Sequence, residues 1–130
     1  MFRRSFSALI LAECVERDTT KLLLPADKIL EWGDRITTWY LRENDLRGFV
    51  PGKGWAHALA HGADAIGCLA KSPHLSGPEL TVLLDVIADR VLLPSPSLLV
   101  SGEPDRMALA TLEVLRRDLL PLGVAEPWVA

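Results

Sequence analysis

Ile29, Trp32, Ile36 and Tyr40 fall on one side of a segment wound at 3.6 residues per turn, and Leu80, Leu83, Leu84, Ile87 and Val91 repeat the pattern further on. No run alternates at period two for long enough to make a strand, so these stripes confine the chain to helices. The spacing predicts helices over 5–17, 26–43, 54–71 and 76–92, and a fifth from Pro104, a residue suited to a first helical position. The first carries Phe6, Leu9, Ile10, Ala12 and Cys14 and stops before Thr19; the fourth is capped by Ser76; the fifth carries Met107, Leu109, Leu112 and Leu115. Turn chemistry in "ENDLRGFVPGKG", "SPHLSGP" and "LLPSPSLLVSGEPD" separates them, the last holding Pro94, Pro96 and Pro104. Residues 119–130 read as a loop or a fraying tail. The expected architecture is all-α, with stacked antiparallel helix pairs forming a small bundle or a fragment of an α-α superhelix of the HEAT kind. A chain of 130 residues makes one such domain with a core of its own.

A net charge of −3 supplies no basic field of the kind a nucleic acid or anionic membrane requires, so neither is an expected partner. Nothing approaches the run of about 20 apolar residues that spans a bilayer. "MFRRSFSALILAEC" begins like a secretion signal, but Glu13, Glu16, Arg17 and Asp18 follow its apolar run directly and no small-x-small cleavage site is present. The stretch reads as an amphipathic helix. Cys14 and Cys68 could pair in principle; two cysteines in a chain of this length fit reduced thiols in a cytoplasm better.

The segment 54–71 is unusual in what it omits. At about 100° per residue, His57, His61, Asp64 and Cys68 share one stripe, with Trp55, Leu59, Ala63, Ile66 and Ala70 opposite. The flanks hold only alanine and glycine, where a solvated helix would carry Lys, Glu or Arg. Small flanks let neighbouring backbones approach, so the helix should be covered on more than one side and its polar stripe should need partners. Glu43, Asp45, Arg47 and Lys53 crowd the loop before it, and Asp45 or Arg47 is expected within hydrogen-bond reach of the stripe. Two imidazoles four residues apart with a carboxylate beside them could hold a divalent metal such as zinc through His57, His61 and Asp64. "HALAH" lacks the glutamate of the H-E-x-x-H arrangement, so that motif brings no general base, and Asp45 or Glu103 would have to act as further ligand or base. The alternative is a hydrogen-bonded polar seam. His74, in a turn after Pro73, reads as solvated, and "GKG" at 52–54 as a turn without the spacing of a phosphate loop.

"ENDLRGFVPGKGWAHALAHGADAIGCLA" resembles the signature of the bacterial domain of unknown function 2785. The matching positions are Glu43, Asp45, Arg47, Gly48, Gly54, Trp55, Ala56, His57, His61 and Asp64, and "GEPDRMALATLEVLRR" adds Gly102, Glu103, Asp105 and Arg106. The likeness spans most of residues 2–117. It implies a helical, α-α-superhelix-like protein without an assigned activity. It also implies helices before residue 3 in the relatives, which would make this chain a shortened member or a C-terminal part. The apolar side of the first helix (Phe6, Leu9, Ile10 and Val15) would then need a cover, most simply a second copy of the chain. Two functions follow as expectations. One is an interaction or ligand-binding module with Glu43, Asp45, Arg47, Lys53, Trp55, His57, His61 and Asp64 around a polar pocket, joined by Asp105 and Arg106. The other is a metal-dependent hydrolase-like enzyme using His57, His61 and Asp64.

Overall fold

Alanine and glycine make the middle of this chain a thin rod, and the other helices close around it. The structure, a computed structural model, describes residues 1–95 and 98–130. Among these residues the helices are α1 (Phe2–Lys21), α2 (Ala26–Arg42), α3 (Ala58–Lys71), α4 (Gly77–Leu92), α5 (Glu103–Arg116) and α6 (Leu122–Val129). A two-stranded antiparallel hairpin, β1 (Phe49–Val50) and β2 (Gly54–Trp55), precedes α3. α3 packs against α1, α2, α4 and α5, most extensively against α1 and α5. Ala58, Ala60, Gly62, Ala63, Ala65, Gly67 and Ala70 are all buried along it. The expected cover on more than one side is therefore present.

Polar contacts fix the directions of the helices. Ser5 near the start of α1 meets His61 near the start of α3, and Glu16 near the end of α1 meets Lys71 at the end of α3 at 2.6 Å. Arg106 near the start of α5 reaches Asp64, and Arg117 just past its end reaches the carbonyls of Ala70 and Ser72 at 2.7 and 2.8 Å. α1, α3 and α5 thus run parallel in one layer. Arg90 near the end of α4 donates to the carbonyls of Leu41 and Glu43 at 3.2 and 3.1 Å at the end of α2, so α2 and α4 run parallel in the other. Consecutive helices alternating between two layers are the arrangement of an α-α superhelix, and the all-α class is observed. The two arginines place positive charge on terminal carbonyls that have no partner within their own helix.

Four local expectations change. α1 continues through Lys21, because Thr19 and Thr20 return their hydroxyls to the carbonyls of Val15 and Arg17 and so sit inside the helix at little cost. α3 begins at Ala58, four residues late, because residues 49–55 close the hairpin with Phe49 opposite Trp55. Two-residue strands are too short to leave a period in the sequence; Gly52 and Gly54, with φ of 75° and 92°, make the turn possible. Residues 122–129 form α6, which starts after Pro121 and packs Trp128 against the core. Pro96, one of the three expected helix breakers, lies outside the described residues. The expected Ser76 cap of α4 is present and takes the form of a capping box, with the Ser76 N–H donating to Glu79 at 2.9 Å.

The tight packing of α3 is testable at two glycines. A Cβ on Gly62 would collide with the ring of Tyr40, whereas one on Gly67 would meet Ala110 at an ordinary 3.6 Å. Gly62→Ala is expected to destabilise the chain by about 1–3 kcal/mol through overpacking. Gly67→Ala should be neutral or stabilising by up to about 1 kcal/mol, since alanine is the better helix former. Urea denaturation of the two variants checks the contrast.

Candidate functional site

The loop from Glu43 to His57 joins the two layers, and most of its polar groups are used in doing so. Glu43 follows the last turn of α2 and is 4% exposed. Arg4 of α1 donates to both its oxygens at 2.8 and 2.9 Å, the Trp39 indole N–H donates at 3.0 Å, and the Asp45 N–H donates at 3.0 Å. The Arg4 guanidinium, helped by these N–H donors, holds the Glu43 carboxyl down to about 2 against the opposing effect of burial. Asp45 and Arg47 form a forked pair at 2.7 and 2.6 Å, which lowers the Asp45 pKa. Gly48 passes so close to Ser101 and Glu103 that a side chain has no room, and its carbonyl accepts from the Ala56 N–H at 2.7 Å. Glu103, buried at the start of α5, accepts from the Ser101 N–H at 2.8 Å.

The histidines lie just beyond. His57 is the N-cap of α3 with φ 48° and ψ 42°, so it precedes the helix that carries His61 and Asp64. The expectation of all three on one helical face is corrected to two, since the hairpin ends too close to the helix for His57 to be wound into it. Ser5 donates its hydroxyl proton to the Ala56 carbonyl, and its oxygen lies 2.7 Å from His61 Nδ1. A hydroxyl has one proton to give, so Nδ1 carries the hydrogen in this contact and Nε2 is left as the acceptor. Burial is the main cause that lowers the pKa of His61, opposed by Asp64. Asp64 is taken by Arg106, which bonds both its oxygens at 2.8 Å. Asp45 and Arg47 pair with each other, and the partners of the stripe come from α1 and α5 instead. Phe49, Trp55, His57, His61 and Phe6 form a chain of ring contacts, with centroids 5.1, 4.5, 6.1 and 5.2 Å apart in that order.

Lys53 is exposed at the hairpin tip and Asp105 is exposed in the first turn of α5, so neither joins the histidines in a pocket. His74 is corrected from solvated to half-buried: its Nε2 meets Asp18 at 3.2 Å, because the turn after α3 packs beside the end of α1. Cys14 and Cys68 are free thiols, and burial pushes Cys68 up to about 12.

Among the described residues no group of three or more His, Cys, Asp or Glu side chains is placed to hold a metal ion. Ser5 and His61 resemble half of a nucleophilic pair, yet Ser5 is fully buried and its proton is committed to a carbonyl. Sequence reading missed Ser5 and Arg4. Their only signal is the position of "RRS" two helix lengths before a buried glutamate, which becomes meaningful once α1 is known to lie against α3 and the end of α2.

A family model described as "Protein of unknown function (DUF2785)" matches residues 1–130, the whole chain. The chain belongs to that family. No curated protein and no solved structure matches it. The residues through which the sequence resembles the family are in large part the joint just described: Glu43, Gly48 and Glu103 tie the loop to its neighbours, and Asp64 with Arg106 ties α3 to α5.

The Glu43 hub predicts a pH dependence. A carboxyl whose folded pKa lies near 2, below its ordinary 4.5, contributes stability that is present above about pH 4.5 and lost as pH falls toward 2. Urea titrations between these limits should show a falling midpoint in the natural chain. Glu43→Gln should start less stable at neutral pH and lose much less on acidification.

Proposed function

We propose that this chain is a helical interaction module, without a catalytic centre at its histidines, that associates with a second copy of itself through the aromatic face beside them. The observation that carries the reading is exposure. Phe6, Ile10, Phe49 and Trp55 are 44%, 65%, 53% and 53% exposed, and three of them belong to one string of ring contacts. Exposed aromatic and aliphatic side chains grouped in this way, here joined through the rings of His57 and His61, are characteristic of protein contact surfaces. Val15, counted by the sequence with this face, is fully buried within the chain, so the face is formed by the first turns of α1 and by the hairpin. A two-fold contact would let the same patch cover itself. At roughly 25 cal/mol per Å² of apolar area, burying four large side chains from each copy is comparable with the cost of association.

Sedimentation equilibrium across a hundredfold concentration range tests this. A dimer is expected, with Trp55→Asp and Phe6→Asp monomeric and their circular dichroism unchanged. A single species near 14.3 kDa throughout would remove the reading.

The metal-dependent hydrolase reading rests on one feature, the buried Nε2 of His57, which has no hydrogen-bond partner among the described residues. Ser5 fixes the other nitrogen of His61 much as an outer partner orients a ligating imidazole. Asp64, however, is committed to Arg106, which leaves two nitrogens and no carboxylate. The expected metal content of protein purified without an affinity tag is far below one ion per chain. A stoichiometric ion that His61→Ala abolishes would displace the interaction reading.

A further inference from the structure

We propose that the edge between α1 and α2 is a docking groove for an acidic peptide segment anchored by an apolar side chain. The two helices meet only sparsely. Between them lies a groove of about 260 Å³, with Ala8, Leu11, Ile36 and Trp39 as its floor and Arg3, Arg4 and Arg35 around it. A second hollow of about 580 Å³ shares Arg4 and Trp39 and continues past the end of α2 to Arg42 and Arg47. Five of the chain's ten arginines therefore line these two adjoining hollows, in a protein whose net charge is −3. Among the described residues the carboxylates that line them are Glu43 and Asp45, already bonded to Arg4 and Arg47 respectively.

The remaining charge is available. Arg3 and Arg42 are exposed and enter no ion pair among the described residues. Arg35 meets Glu31 with its side chain 73% exposed, and a surface pair of that kind yields readily to an incoming carboxylate. Guanidinium groups bind carboxylates in forked pairs, which gives an acidic segment both its attraction and its register. The floor sets the second requirement. Trp39, held by its N–H bond to Glu43, is a fixed apolar wall, and the groove beside it has room for a large aliphatic or aromatic side chain. A nucleic acid would leave that floor uncovered and would draw on a basic field confined to this edge. An acidic peptide with an apolar anchor uses both halves. This surface is carried by observations separate from the aromatic face.

Fluorescence anisotropy of the full chain with a fluorescein-labelled peptide of alternating glutamate and leucine tests the proposal. Saturable micromolar binding is expected, weakened about tenfold between ~50 and ~300 mM salt as screening shortens the reach of the arginines. Arg3→Glu combined with Arg42→Glu should weaken it by about tenfold or more by putting like charge against the peptide, with the urea midpoint unchanged because both side chains are exposed. Phe6→Asp should leave the affinity intact, which separates this groove from the aromatic face. A glutamate–serine peptide should bind much more weakly. The proposal is overturned by absent saturation, by indifference to the arginine reversals, or by equal binding of the glutamate–serine peptide. Tighter binding of a single-stranded oligonucleotide or of anionic phospholipid vesicles at the same ionic strength overturns it as well.

Discussion

A helix built from alanine and glycine can be approached on nearly every side, and α3 is surrounded for that reason. Its neighbours α2 and α5 come close enough that Gly62 faces the ring of Tyr40 and Gly67 faces the backbone of Ala110. A side chain at Gly62 would push α2 away from α3. The closeness has a second consequence. A helix enclosed in this way has almost no solvent for its polar groups, so each one it retains must find a partner on an adjacent element. His61 finds Ser5, Asp64 finds Arg106, and the carbonyls at its end find Arg117.

This explains why a dense polar motif need not mark chemistry. Glu43, Gly48, His61, Asp64, Glu103 and Arg106 are gathered because three helix starts and one helix end converge there, each with backbone or side-chain groups to satisfy. The residues left over are of another kind. They are the aromatic rings of the hairpin and of α1, which remain at the surface.

Much of the fold was legible in the sequence, because the core stripes of α2 and α4 have a fixed period and the Ser76 cap is a local signal. The crowding of α3 was legible too, through the absence of charge on its flanks. The hairpin was not. Its strands are two residues each, and the glycines that shape it read equally well as a plain turn. The partners of the polar stripe were illegible for another reason. Arg47 is nearer to Asp64 in sequence than Arg106 is, but parallel stacking of alternate helices brings the start of α5 to α3, and no local pattern announces that stacking. α6 went unseen because it is too short to show a stripe and carries Pro127 within it, a residue that reads as a helix breaker.

α1 connects the two surfaces on which function is proposed. Around its axis, at about 100° per residue, Phe6 and Ile10 lie on one side and Arg4 and Leu11 lie more than a right angle away from Phe6, with Arg3 between the two groups. The aromatic face and the arginine edge thus share one rigid element. That element is held in place at its first turns by Ser5 against Ala56 and by Arg4 against Glu43. Loss of the Arg4 pair would free the start of α1 from the end of α2, and the groove and the ring string would shift together. The buried glutamate thus ties the start of α1, which both proposed surfaces share, to the end of α2. Its depressed pKa follows from the same contacts that set the geometry of the helix bearing Phe6 and Arg3.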